Sequence, residues 1–246
     1  MSNKNERLMI QFYAPDIEST LTLPESDSAH AVRVLRMKPG DNLVVVDGKG
    51  NRFNCILESD HAKRATVSIE SVEHIDTFWP APITVAVAPT KHLDRIEWML
   101  EKLIEQGIDR FVPLMCRYSE RKEIKTERLE KIVVSAMKQS LKTVLPVVEP
   151  MTKIGEFIKN DKSEQRFIAY CDPSSPRKLL VDEYVPGRSV SILIGPEGDF
   201  SKEEIKDALD AGYVPVSLGE ARLRTESAAL TAVTAFHVLN QLKKKE

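Results

Sequence analysis

Residues 83–115 read ITVAVAPTKHLDRIEWMLEKLIEQGIDRFVPLM. Residues 83–89 form a nearly unbroken apolar run of strand length, closed by Pro89, which suits a strand buried on both faces. Leu93, Ile96, Leu100, Leu103 and Ile104 then recur at helical spacing, and Gly107 supplies the stop. A second apolar run, FVPLM, begins at Phe111. Strand, amphipathic helix, strand is the repeating unit of a parallel sheet covered by helices. The same alternation continues downstream. Residues 127–141 place Leu129, Ile132, Val133 and Ala136 on one helix face, and residues 167–171, 190–194 and 213–218 read as further strands. In SKEEIKDALDAG, Ser201 and Glu204 have capping-box spacing and Gly212 ends the helix. A last helix is expected from about Thr225 to Leu242.

Working back from residue 83, the texture changes. Residues 10–75 read as short strands separated by turn signals. In LVVVDGKGNRFNCILES (43–59), Asp47 to Gly50 has turn chemistry and Phe53, Cys55 and Leu57 alternate on the return, the pattern of a hairpin. A further strand, ATVSIESVEHI (65–75), makes this segment a small all-β barrel or sheet. Trp79-Pro80-Ala81-Pro82 interrupts regular structure, because each proline restricts itself and the residue before it. The expected domains are therefore 1–77 and 78–246.

The 246 residues carry 35 Lys and Arg against 37 Asp and Glu, a formal net charge of -2. That excludes a polybasic protein that binds nucleic acid indiscriminately, but not one with a local basic patch. From Arg110 to Lys142 there are nine basic and four acidic residues, and Arg33, Arg36 and Lys38 form a second cluster. Cys55, Cys116 and Cys171 are scattered, with no CxxC pair, so neither a disulfide framework nor a zinc knuckle is expected. The opening MSNKNERLMIQF lacks the apolar stretch of a signal peptide, and no segment reaches the roughly 20 apolar residues of a membrane span. A cytoplasmic location without membrane attachment is expected. Five histidines show no HExxH or related spacing, so no metal is expected.

In open α/β sheets, ligands sit beyond the carboxyl ends of the strands. Two loops leave such ends. ILIGPEGDFSKEE follows the strand ending at Ile194, where Gly195 and Gly198 permit close backbone approach and Pro196 fixes the turn. SLGEARLRTESAAL follows Leu218 and passes Gly219 into the last helix. Either loop alone equally reads as an ordinary glycine turn between strand and helix. Together they bring Glu197, Arg222, Arg224 and Glu226 to one crevice. Neither is GxGxxG or GxxxxGK[ST], so dinucleotide and P-loop phosphate binding are disfavoured, and there is no GxSxG elbow. A backbone-lined pocket for a neutral or cationic cofactor fits better.

At these residues the chain resembles the RsmE family of SPOUT-class RNA methyltransferases. The resemblance runs over nearly the whole chain. It takes in His30, Val34-Leu35-Arg36 and Lys38-Pro39-Gly40-Asp41, then Lys91, Lys102, Glu105, Gly107, Pro113 and Gln139-Ser140. Its most specific parts are Gly195-Pro196-Glu197-Gly198 and Leu218-Gly219 followed by Leu223-Arg224-Thr225-Glu226. The chain departs from the family pattern at Asp199, where glycine is usual, and at Ser135 and Lys138, where glutamates are usual. Lys142 replaces a more common arginine, and Ala221 a basic residue.

The resemblance implies an α/β protein in which an N-terminal PUA-like β-barrel precedes a SPOUT-type parallel-sheet methyltransferase domain with a C-terminal trefoil knot. It implies a homodimer that uses S-adenosyl-L-methionine to methylate N3 of a uridine in small-subunit (16S) ribosomal RNA. The methyl donor is expected against Pro89, Ile194, Gly195, Pro196, Gly198, Leu218, Gly219, Leu223 and Arg224. Attack by N3 on a sulfonium methyl leaves negative charge on O2 and O4, which a positioned cation stabilises. Arg224 is the first candidate for that cation, since a guanidinium cannot act as a base. Glu226 either holds Arg224 or caps the last helix. Glu197 either takes or orients the proton, or serves only as a loop hydrogen-bond partner. RNA contacts are expected at Arg33, Arg36, Lys38, Lys91, Arg117, Arg121 and Lys142. Two rival functions share these features: a non-catalytic RNA-binding ribosome-assembly module, and a SPOUT enzyme acting on transfer RNA.

Overall fold

The computed structural model describes residues 10–171 and 177–243, so the reading of residues 1–9 as free of a leader lies outside what it describes. The chain forms two compact units, one of Met1–Phe78 with Val134–Leu145 and one of Trp79–Val133 with Pro146–Glu246.

The first unit is built on a four-stranded sheet. Its elements are β1 (Gln11–Tyr13), α1 (Ile17–Thr20), α2 (Glu25–Ala29), a π-helical turn at His30–Val34, β2 (Asn42–Val46), β3 (Asn51–Ser59) and β4 (Thr66–His74). The order is β1-β2-β3-β4, with β1 parallel to β2 and the other pairs antiparallel. The β2-β3 hairpin closes where turn chemistry places it. Asp47 Oδ1 accepts from the backbone N–H of Lys49 (2.7 Å) and Asn51 (3.1 Å), and Gly48 and Gly50 hold positive φ angles of 78° and 99°. Phe53, Cys55 and Leu57 alternate into a core with Phe12, Leu43, Val45 and Val67.

The expectation of an all-β segment over 10–75 needs correction between β1 and β2. Local hydrogen bonds from short polar side chains hold helical turns there. Ser19 and Thr20 hydroxyls donate to the Asp16 carbonyl, both at 3.0 Å, and the Ser28 hydroxyl donates to Leu23 O at 2.9 Å. In the π turn the Leu35 N–H reaches His30 O at 3.0 Å, and Arg36 follows in the left-handed region at φ 54°. Arg33, Val34 and Arg36 are all exposed.

In the second unit, β5 (Ile83–Val87), α3 (Leu93–Gln106) and β6 (Arg110–Met115) reproduce the strand-helix-strand unit of residues 83–115. Then follow α4 (Thr126–Gln139), which passes from the second unit into the first, β7 (Val147–Val148), β8 (Thr152–Lys153) and α5 (Ile154–Asn160). β9 (Gln165–Ala169), β10 (Lys178–Leu179), α6 (Leu180–Glu183), β11 (Val190–Ile194), α7 (Lys202–Asp210), β12 (Val214–Ser217) and α8 (Thr225–Lys243) complete it. The sheet runs β10-β12-β9-β11-β5-β6-β7, with every pair parallel and β8 added to β6.

Helices cover both faces, which is why β5 and β11 are buried at all five positions and read as continuous apolar runs. One face packs Ala86, Val112, Leu114, Ile168 and Leu193 against Ile154, Phe157 and Ile158 of α5 and Ala208 of α7. On the other, Phe236 of α8 stacks with Phe167 of β9 and tilts against Tyr184. The capping box of α7 is present, with the Ser201 hydroxyl accepting from Glu204 N (3.2 Å) and the Glu204 carboxylate from Ser201 N (2.8 Å). Gly107 ends α3 at φ 107°, and a Cβ there would lie 2.4 Å from the Trp79 ring, so only glycine fits. Among the described residues no helix is long and apolar enough to cross a membrane.

Lys138, at one of the departures from the family pattern, has a specific partner. Its ammonium pairs with the Asp27 carboxylate, which is 5% exposed and also accepts from Tyr13 N at 2.8 Å. All three residues belong to the first unit. Replacing Lys138 by methionine strands a buried carboxylate and is expected to cost about 2 kcal/mol, less than the ~3–5 kcal/mol of a fully buried pair because the lysine side chain keeps 19% exposure. Urea denaturation of Lys138→Met beside the Asp27→Asn/Lys138→Met double variant checks this. The double variant, which removes the stranded charge, should recover part of the loss.

Candidate functional site

Register brings the ends of the central strands to one level. Ile194 of β11 lies opposite Val87 of β5 on one side and Ala169 of β9 on the other, and Ala169 lies opposite Val216 of β12. The loops leaving β9, β11 and β12 therefore emerge side by side at the carboxyl edge, the place where open α/β sheets bind ligands. Between them is a cavity of about 310 Å³ walled by Tyr170 and Cys171 from the β9 end, residues 194–197 and Asp199 from the β11 end, and residues 222–226 leading into α8. A smaller hollow of about 70 Å³ adjoins it, walled by Tyr170, Cys171 and Arg177 together with Val216 to Gly219, Ala221 and Leu223.

The loop after β11 is held from several sides. Its Pro196–Asp199 turn is closed by the Asp199 N–H on Pro196 O (2.9 Å), and Asp199 takes φ 63°. The Thr225 hydroxyl at the start of α8 donates to Gly195 O at 3.1 Å. Gly198 lies against Tyr118, where an added Cβ would come within 3.2 Å of the Tyr118 Cβ. Glu204 supports this neighbourhood, because the carboxylate that caps α7 also accepts from Arg117 N at 2.7 Å.

Of the residues expected around the methyl donor, Ile194, Gly195, Pro196, Leu223 and Arg224 line the larger cavity and Leu218 and Gly219 the smaller. Gly198 lines a more open hollow of about 600 Å³ alongside them. Pro89 lies buried just past β5 and lines none of these hollows. Arg224 and Glu197 are exposed within the cavity wall, and among the described residues neither side chain has an ion-pair or hydrogen-bond partner. Glu226 is buried, and its cation is Arg95 of α3 at 3.7 Å rather than Arg224.

Arg95, Tyr170, Cys171 and Asp199 also line the cavity without having been singled out by the motifs as donor contacts. Arg95 sits on the polar side of an amphipathic helix, where a charge ordinarily reads as solvated. Tyr170 and Cys171 follow a strand whose neighbours only the sheet order reveals.

The expected RNA contacts are placed as follows. In the first unit, Arg33, Arg36 and Lys38 are exposed; Lys38 pairs with Asp60 at 3.0 Å, and Lys142 lies over the Phe78 ring at 5.9 Å. In the second, Lys91 pairs with Glu120 (3.4 Å), while the Arg121 guanidinium donates to the carbonyls of Lys91 (2.7 Å) and Thr90 (3.4 Å). Arg121 thus steadies the loop after β5, and Arg117 is exposed. No cluster of three or more His, Cys, Asp or Glu able to hold a metal occurs among the described residues.

Residues 77–237 match the family model described as an RNA methyltransferase domain, and residues 23–70 match that of an RNA methyltransferase PUA domain. A Synechocystis protein named ribosomal RNA small subunit methyltransferase E is 31% identical over 229 residues, covering 91% of this chain and 74% of that one. The crystal structure of a probable rRNA-methyltransferase from Porphyromonas gingivalis superposes with a TM-score of 0.91 at 47% identity, over 95% of this chain and 99% of that one. A Neisseria gonorrhoeae ribosomal RNA small subunit methyltransferase E, bound to S-adenosyl methionine, superposes at 0.84 with 29% identity, over 94% and 98%.

Proposed function

Since the chain belongs to the ribosomal RNA small subunit methyltransferase E family of RNA methyltransferases, we propose that it methylates N3 of a uridine in 16S ribosomal RNA with S-adenosylmethionine as donor. The observation that carries this is the cavity at the carboxyl edge, where loops after β9, β11 and β12 converge on one space that holds Arg224. Ile194, Leu223 and Ala228 give it apolar walls, three arginines (Arg95, Arg222, Arg224) balance three carboxylates (Glu197, Asp199, Glu226), and of those carboxylates Glu197 is the one without a partner among the described residues. Its volume is at the lower end of the roughly 300–1,000 Å³ common for small-molecule sites, before the adjoining hollow is counted.

Bound there, S-adenosylmethionine supplies an electrophilic methyl group. The chain's own residues do the rest. Arg224 presents a guanidinium to the uracil O2 or O4, where charge grows as the N3 proton leaves, and a donor aimed at developing charge lowers the barrier. Glu197 is the exposed carboxylate of the cavity, placed to take or orient that proton, whereas Glu226 is committed to Arg95. The PUA-like unit, with Arg33, Arg36 and Lys38 exposed, and the surface carrying Lys91, Arg117 and Arg121 would meet phosphates. We further infer a homodimer and a C-terminal segment tucked into a trefoil knot.

Mass mapping of modified nucleosides in a deletion strain tests the assignment. One N3-methyluridine should disappear from 16S RNA and return on complementation; unchanged ribosomal RNA, or a loss from transfer RNA instead, would overturn it. Cys171 gives an independent reading in vitro. Burial pushes the Cys55 thiol up to about 11 and the Cys116 thiol up to about 12, while Cys171 is exposed in the cavity wall. Iodoacetamide at neutral pH should therefore label Cys171 selectively. Donor at ten times its Kd should slow labelling about tenfold by occupancy, whereas labelling that ignores saturating donor would place the donor elsewhere.

A further inference from the structure

Asp199 is one of four non-glycine residues with positive φ among those described, and the one that lines the cavity. Its left-handed backbone, φ 63°, turns the side chain back over its own loop. There both carboxylate oxygens are used. Oδ1 accepts from Phe200 N at 2.8 Å, and Oδ2 accepts from Cys171 N, past the end of β9, also at 2.8 Å. Asp199 Oδ1 and the Phe200 ring also pack over Gly195, where an added Cβ would lie 3.3 Å from the oxygen and 3.2 Å from the ring. One carboxylate thus joins two of the three loops that wall the cavity, through hydrogen bonds strengthened by its charge.

We propose that Asp199 is a positioning residue for the methyl donor: it holds the loops after β9 and β11 at the separation the donor occupies. This rests on the reading of the cavity as the S-adenosylmethionine site. The backbone conformation and the clasp are separable. Glycine adopts the same φ freely but leaves the N–H groups of Cys171 and Phe200 without their acceptor. Asparagine tolerates the left-handed region and keeps one acceptor oxygen. When the closed arrangement is only partly populated, apparent donor affinity falls by that fraction while the chemistry of the bound complex is preserved.

Calorimetry and steady-state kinetics on the full chain test this with Asp199→Gly and Asp199→Asn. Asp199→Gly should raise the Kd and KM for S-adenosylmethionine about tenfold and leave kcat at saturating donor within about twofold, with a melting temperature lowered by no more than a few degrees; Asp199→Asn should fall between it and wild type. The neutral product S-adenosylhomocysteine should lose affinity by the same factor. A loss confined to the cationic donor would assign Asp199 a charge role and overturn positioning. So would a fall in kcat at unchanged KM, or wild-type donor affinity in Asp199→Gly. Should the glycine variant fail to fold, wild-type affinity in Asp199→Asn would overturn the proposal. Absence of donor binding by the wild-type chain would instead sink the cofactor reading itself.

Discussion

Arg224→Ala is expected to lower methyl transfer to small-subunit RNA by on the order of 10²–10³-fold while changing donor affinity less than about threefold. The guanidinium is exposed in the cavity wall and, among the described residues, has no carboxylate that holds it. Its removal leaves no stranded buried partner and should spare the fold. What is lost is a cation present when charge builds on O2 and O4 of the uracil, an interaction stronger in the transition state than before it. Single-turnover methyl transfer beside calorimetry with S-adenosylmethionine separates the two effects. Near-wild-type turnover would remove Arg224 from the chemistry. Of the two other arginines lining this cavity, Arg95 and Arg222, Arg95 would then be the next to examine, since it reaches in from α3 and buried Glu226 anchors it.

The largest expected effect on stability lies outside the site, at Asp161. This carboxylate follows α5, is 5% exposed, and accepts hydrogen bonds from Ser191 Oγ of β11 (2.5 Å), Tyr213 OH just before β12 (2.6 Å), and Ser163 N and Oγ (3.0 and 2.8 Å). Asp161→Ala removes the buried acceptor that the hydroxyls of Ser191 and Tyr213 share, and is expected to cost about 3–4 kcal/mol. The thermal transition should fall by on the order of 10 °C.

Burial alone would push the Asp161 carboxyl upward, yet the bonds from Ser191, Tyr213 and Ser163 outweigh it and hold the group below its ordinary value. A depressed folded-state value means that the ionised form stabilises the fold above the unfolded-state value, near pH 4, and that this stabilisation is lost as pH falls through the folded-state value. The stability gap between wild type and Asp161→Asn should therefore be constant from about pH 5 to 7 and shrink below about pH 4. Urea denaturation across that range checks it. A gap that persists unchanged to pH 3 would mean that ionisation of Asp161 contributes nothing.

These two residues also mark how far the sequence could be read. The loops carrying Gly195 to Gly198 and Leu223 to Glu226 stand out because glycine and proline directly follow apolar runs, and the pattern 3.6 residues apart in 93–104 belongs to a helix with one buried side. Asp161 had no such signal. Its partners Ser191 and Tyr213 lie 30 and 52 residues away, and an aspartate bonded to a serine two residues on, after a seven-residue helix, reads as an ordinary loop residue. The short helices between β1 and β2 were equally hidden, because segments of four and five residues are too short to display a helical period.

The sequence by itself determined the class of fold, since continuous apolar runs such as 83–87 and 190–194 are stable only between two layers of helices. It also determined the chemical character of the two loops, because glycine, proline and charged residues at strand ends constrain backbone and charge locally. The tertiary structure alone decided which strand ends are neighbours. The order β12-β9-β11-β5 is what brings Cys171, Asp199 and Arg224 into one wall and gives Glu226 to Arg95. Such pairings join residues far apart in the chain, and their free energy comes from non-local burial and hydrogen bonding that leave no periodic mark on the residues concerned.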